Sequence, residues 1–196
     1  MNFLGHAYLS FNHTEILVGN MISDCIKGRA QYNYPEGIQK GIRLHRDIDA
    51  FTDSHPATKA AQEVFRPHYR LYSAPLADVA FDYFLANDPE TFDDQGLLHF
   101  SHNTYSTIDA FGAQLPPRFA QLFTYMKRDN WLYRYRTLEG IGNSLRGLMY
   151  RASMPDDGEH AGYLLQQHQP VLQQCFNEFF PDVKKFAKGR LTELLG

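Results

Sequence analysis

The chain has 196 residues, 43% hydrophobic and 21% charged, which excludes disorder as the default and leaves enough residues for a core without staples. A net charge of −3 argues against a dedicated nucleic-acid binder, and two cysteines, Cys25 and Cys175, are too few for a disulfide framework. No apolar run approaches the roughly 18 residues that span a bilayer, and the opening residues lack the basic region of a signal peptide, so a cytoplasmic protein with no membrane partner is expected.

Helical periodicity runs along the whole chain, and no stretch alternates like a half-buried strand. Helices are predicted over 2–11, 14–26, 35–54, 56–71, 75–87, 94–111, 116–129, 138–151, 158–179 and 181–195. Several open with proline in the first turn, where the missing N–H removes no bond. Thr14 with Glu15, and Asp94, fit helix starts, and Gly28 and Gly112 fit helix ends. Pro170 should kink or divide its helix, and Asp156-Asp157 reads as a turn or cap. The expectation is an all-α, multi-helix bundle forming one domain over 1–196. Its 15 Phe and 12 Tyr should supply much of the core.

Several polar groups fall where the helical wheel places apolar ones. His6 lies in the first helix among mixed neighbours, and alone it reads as an ordinary histidine. Asp24 falls beside Leu17 and Met21. In helix 35–54, Ile38, Ile42, Leu44, Ile48 and Phe51 share a side with His45 and Asp49, which are four apart and face together. Asp47 falls on the opposite, charged side. Helix 75–87 is apolar nearly all round, yet carries Asp78 and Asp82, again four apart. Two carboxylates on one buried face repel unless a cation or proton lies between them. The bland readings are a His–Asp bond that rigidifies the core and acids that flank the stripe or serve a helix end. Taken together, His and Asp from several helices without cysteine suit a hard or borderline ion, Mg²⁺ or Mn²⁺, as in metal-assisted hydrolysis. Arg43, Arg46 and His55, on or just after the same helix, are candidates to bind phosphate oxygens or protonate a leaving group. GxSxG, Walker A, GxGxxG and HExxH patterns are absent.

At these residues the chain resembles the bacterial acyl carrier protein phosphodiesterases. The resemblance rests on Met1-Asn2-Phe3-Leu4-Gly5-His6, on Gly19-Asn20-Met21-Ile22-Ser23-Asp24 with Lys27-Gly28, and on Gly41-Ile42-Arg43-Leu44-His45-Arg46-Asp47-Ile48-Asp49 running into Phe51-Thr52-Asp53-Ser54-His55-Pro56. It continues through Asp78-Val79-Ala80-Phe81-Asp82-Tyr83-Phe84-Leu85-Ala86 and, more loosely, Trp131-Leu132 and Gly140-Ile141. It implies an all-α, HD-domain-like phosphohydrolase using Mn²⁺ or Mg²⁺. The implied reaction removes 4′-phosphopantetheine from a serine of holo-acyl carrier protein (holo-ACP), giving apo-ACP. HD domains place His and Asp side by side, whereas here Arg46 follows His45.

The expected site is then His6, Asp24, His45, Asp49, Asp78 and Asp82 around the metal, with one acid free to serve as base. Arg43 and Arg46 would hold phosphate, and His55 would protonate the departing serine oxygen. Acyl carrier proteins are strongly acidic as a class, so a basic docking face is expected. Residues 118–151 carry seven Arg and Lys against Asp129 and Glu139, and Lys127, Arg128, Arg134 and Arg136 are the docking candidates. The alternatives are an HD-like hydrolase of a small phosphoester or nucleotide, and a non-enzymatic helical interaction protein with structural His/Asp pairs.

Overall fold

The computed structural model describes residues 1–151 and 158–196, and among these residues every regular element is a helix. In chain order they are α1 (Phe3–Tyr8), α2 (Thr14–Ile22), α3 (Glu36–Ser54), α4 (Pro56–Tyr69), α5 (Ser73–Ala86), α6 (Asp94–Ala110), α7 (Pro117–Arg128), α8 (Trp131–Arg134), α9 (Leu138–Arg151), α10 (Glu159–Gln167) and α11 (Gln169–Leu195). Short 3₁₀ turns fill Ser23–Cys25, Gly28–Asn33, Arg70–Tyr72 and Gly112–Gln114. Asp156 and Asp157 lie outside the described residues. None of the described helices is long and apolar enough to cross a membrane.

The all-α expectation holds, with corrections at particular ends. The predicted helix 14–26 stops at Ile22, and the chain tightens into a 3₁₀ turn over Ser23–Cys25. Asp93, not Asp94, caps α6 by accepting from the Gly96 amide at 2.6 Å. The C-terminal division falls at His168 instead of Pro181. Pro170 sits in the first turn of α11, where its missing N–H is free of cost. Pro181 lies inside α11 between buried Phe179, Phe180 and Val183. Apolar anchors on both sides outweigh the roughly 3 kcal/mol an interior proline costs. The four-residue α8 was too short to show a period.

Two features of the packing position the site. First, α2 and α3 cross glycine against glycine. A methyl group on Gly19 would lie 2.1 Å from the Ile38 carbonyl oxygen, and one on Gly41 would lie 2.4 Å from that of Ile16. Only backbones without Cβ atoms fit there, and the crossing sets Asn20 beside His45, one turn beyond Gly41. Second, α5 runs through the centre, burying Leu76, Val79, Phe81, Phe84 and Leu85. Phe81 stacks on Phe179 of α11 at 5.1 Å, and Phe84 meets Phe176 at 6.0 Å. From that buried helix, Asp82 reaches α1. One carboxylate oxygen accepts from the amides of Asn2 (3.2 Å) and Gly5 (3.1 Å), the other from Leu4 (2.7 Å). The first amides of a helix lack partners within it. Asp82 supplies them, and so fixes the six-residue helix that carries His6.

Candidate metal centre

α1, α2, the 3₁₀ turn after α2, and α3 each bring one or two polar side chains to the same place. The buried Asn20 amide is the hub. Its Nδ2 donates to the His6 carbonyl (2.9 Å) and to Ser10 Oγ (3.0 Å). Only the NH₂ group can donate to a carbonyl, so Oδ1 must face the other way. There it lies 2.9 Å from His6 Nδ1 and 3.1 Å from His45 Nδ1. An amide oxygen only accepts, so both imidazoles carry a proton on Nδ1 and donate it to Asn20. The two rings stack 3.9 Å apart.

Both Nε2 atoms then converge on carboxylates. His6 Nε2 is 3.1 Å from Asp49 Oδ1, His45 Nε2 is 3.1 Å from Asp49 Oδ2, and Asp24 Oδ1 is 3.3 Å from His45 Nε2. A neutral Nε2 lone pair facing a carboxylate oxygen is repulsive, so something positive belongs between them. His45 Nε2 is buried and has no hydrogen bond of good geometry. Without a cation, a proton fills that place. Burial opposes charge on His45, but Asp24 and Asp49 outweigh it and push its pKa up to about 9. His6 is driven the other way, first by burial and then by the charge on His45. For Asp49, burial favours the neutral acid, but the two histidines overcome it and hold the carboxyl far below its usual range. Asp24 is lowered by its bond to His45, against burial.

The donor set fits a divalent cation. The ligand atoms of His6, His45 and Asp49 all lie within 4.8 Å of one another, and two imidazole nitrogens with a carboxylate oxygen suit borderline ions. Asn20 acts behind them by fixing ring orientation and tautomer, as partners behind metal-bound histidines do.

The remaining predicted residues hold partners outside the His6–His45–Asp49 cluster. Asp78 binds the Met1 ammonium at 2.8 Å. Burial works against that ammonium, yet Asp78, with Asp49 and Asp82 behind it, holds its pKa above the ordinary value. The donors that face the Asp78/Asp82 pair are the Met1 ammonium and the amides of Asn2, Leu4 and Gly5. Asp47 accepts from Arg190 Nε at 2.7 Å, leaving Asp49 as the inward acid of α3. Arg43 lies 3.8 Å from Asp47. Arg46 donates to Gln31 Oε1 (2.8 Å) and to the Ile26 carbonyl (3.2 Å), so it pins the segment after α2 instead of reaching the metal centre. His55 stands at the α3–α4 corner. Its Nδ1 accepts from the Ala57 amide (3.2 Å), and its Nε2 faces Asp182 at 3.4 Å.

A cavity of about 680 Å³ opens beside the cluster, lined by His6, Asn20, Asp24, His45 and Asp49 at one side. Phe3, Met21, Val79, Phe119, Leu122 and Leu148 give it an apolar wall. That volume lies in the range of roughly 300–1,000 Å³ that takes an extended organic ligand. Among the described residues, Arg118 of α7 is the one Arg or Lys lining it. It lies near Cys25, whose thiol pKa burial raises and Arg118 pulls back. Sequence reasoning missed two residues here. Asn20 had a signal: it is an amide inside the apolar run Ile16-Leu17-Val18-Gly19-Asn20-Met21-Ile22, all of it buried. Arg118 had none beyond its charge.

The family model for acyl carrier protein phosphodiesterase matches residues 1–183. The chain belongs to this family. It is 33% identical over 186 residues to the acyl carrier protein phosphodiesterase of Salmonella paratyphi A, covering 92% of this chain and 94% of the relative. Against the protein of the same name from Enterobacter sp. (strain 638) it is 32% identical over 191 residues, covering 97% and 99%. No solved structure matches the chain. Every residue of the cluster, and Arg118, falls within the span matched to the acyl carrier protein phosphodiesterase family.

The expected docking residues of this family member prove to be paired off. Lys127 binds Asp109 at 2.7 Å, Arg128 binds Asp129 at 2.7 Å, Arg134 binds Glu139, and Arg136 binds Asp94. A count along the chain scored Asp129 and Glu139 but not the α6 acids Asp94 and Asp109, which fold against the same basic residues. A charge with its partner in contact presents a dipole, whose field fades faster with distance than that of a lone charge.

Proposed function

We propose that the protein hydrolyses the phosphodiester joining 4′-phosphopantetheine to a serine of holo-ACP, releasing apo-ACP and 4′-phosphopantetheine. His6, His45 and Asp49 would hold a divalent cation, Mn²⁺ or Mg²⁺, which supplies Lewis acidity to a phosphoryl oxygen and lowers the pKa of bound water. The observation that carries this reading is the Asn20 amide, which turns two buried imidazoles so that both Nε2 atoms aim at Asp49 beside a cavity.

The chain's own groups divide the remaining work. Asn20 keeps both rings neutral at Nε2 when the cation is bound. Asp24 stands at the solvent side of the cluster with its side chain largely exposed, and accepts the proton of the attacking water. Arg118 is the cation placed to bind the phosphate oxygens, a role sequence reasoning had given to Arg43 and Arg46. The apolar wall of Phe119, Leu122 and Leu148 lies against the extended arm. A small phosphoester would leave most of that wall empty.

Mass spectrometry of purified holo-ACP incubated with the protein and Mn²⁺ tests the reading. Loss of the phosphopantetheine group is expected, abolished by excess chelator and restored by Mn²⁺. Full activity in excess chelator contradicts the metal, and intact holo-ACP under all conditions contradicts the substrate.

A further inference from the structure

The cleaved bond lies at the root of the arm, against the carrier's own serine. A carrier whose phosphate reaches the His6–His45–Asp49 cluster must therefore bring its body up against whatever borders the cluster on the solvent side. Part of that border is Asp24 and Cys25, which open the segment running to Tyr32. The Asp24 side chain is 80% exposed, Cys25 lines the cavity, and Lys27 and Arg29 follow it within four residues, a reach of at most about 14 Å. Both are exposed, and neither has an ion-pair partner among the described residues. The segment is not slack, because Arg46 ties it to α3 at Ile26 and again at Gln31, on either side of Lys27 and Arg29. Tyr32, next along, presents 64% of its surface to solvent.

Near Cys25 the cavity is also lined by Arg118, likewise without a carboxylate partner among the described residues. Lys127, Arg128, Arg134 and Arg136, by contrast, each hold an acid. Positive charge without an acid partner among the described residues therefore lines the cavity at Arg118 and follows Cys25 along the chain at Lys27 and Arg29.

We propose that Lys27 and Arg29, with the exposed ring of Tyr32, form the docking surface for the acidic body of the carrier protein. The arm then passes Arg118 into the cavity. The proposal rests on the phosphodiesterase reading above. Rim charges steer encounter and set partner preference more than they alter chemistry at the bond.

The test is steady-state cleavage of holo-ACP by the wild type, by Lys27→Glu with Arg29→Glu, and by Lys127→Glu with Arg128→Glu as control. Exposed, unpaired residues can be reversed without unfolding the chain, which a thermal melt checks. We expect the rim pair to raise KM for holo-ACP about tenfold or more with kcat within about twofold, and to flatten the rise of KM with salt. The control pair makes the same change in net charge outside the proposed surface, and should change KM by less than about twofold. Apo-ACP, which lacks the arm, should inhibit the wild type competitively and the rim variant more weakly. An unchanged KM in the rim variant, or an equal rise in the control, overturns the docking surface while leaving the phosphodiesterase reading intact. A wild type that never cleaves holo-ACP overturns both.

Discussion

A buried amide that accepts from two stacked imidazoles leaves them no choice of tautomer, and this single residue explains why His6 and His45 act together. Asn20→Leu keeps the volume but removes the oxygen and the NH₂. We expect Mn²⁺ affinity to fall about 10–100-fold, as when a partner behind a metal-bound histidine is lost, measured by isothermal titration. Stability should drop by roughly 1–3 kcal/mol as well, because the His6 carbonyl and Ser10 lose their donor. Asp82 gives a prediction in pH. Burial raises its pKa to about 7, against the pull of the N-terminal ammonium and three amides. A group raised in the fold stabilises it fully below its unfolded pKa near 3.8 and loses that contribution as pH climbs to about 7. Urea unfolding should therefore show Asp82→Asn losing less stability than the wild type between pH 4 and 7. The difference should be up to about 4 kcal/mol, and equal slopes would contradict it. At this scale the sequence exposed the residues that broke an apolar pattern. His45 and Asp49 stood out, and so did Asp82, though a wheel could not say that its oxygens face amides. Arg118 broke no pattern, so only the folded chain reveals where it lies.

The α2–α3 crossing is the element on which the site depends, since a shift there separates Asn20 from His45. Gly41→Ala inserts a methyl into a backbone contact, where overpacking costs typically about 1–3 kcal/mol and occasionally more. We expect a lower urea midpoint together with weakened Mn²⁺ binding. Gly189→Ala is the counter-case. It lies within α11 with open space around it, and should stabilise by roughly 0.5–1 kcal/mol. If both substitutions shift the midpoint equally, the close approach is not what makes Gly41 necessary. The helices themselves were legible because amphipathic spacing and first-turn prolines mark them. The C-terminal division was legible in part: Pro170 marks the break at His168, whereas the break expected at Pro181 is bridged by buried Phe179, Phe180 and Val183.

For the whole molecule, periodicity was enough to expect an all-α chain and the resemblance to expect a phosphodiesterase, but charge along the sequence misjudged which cations stay unpaired. Charge summed along residues 118–151 ignored the acids that α6 folds against them. The cavity was likewise invisible, because its wall draws on α1, α2, α5, α7 and α9 at once. What remains central is the proposal that His6 of α1, with His45 and Asp49 of α3, would hold one cation. Isothermal titration with Mn²⁺ of the wild type beside His45→Ala and Asp49→Ala, each verified as folded by circular dichroism, tests this most directly. One site per chain in the wild type, lost in both variants, is the expected result. Undiminished Mn²⁺ binding by the folded variants would place the metal elsewhere and contradict the assignment.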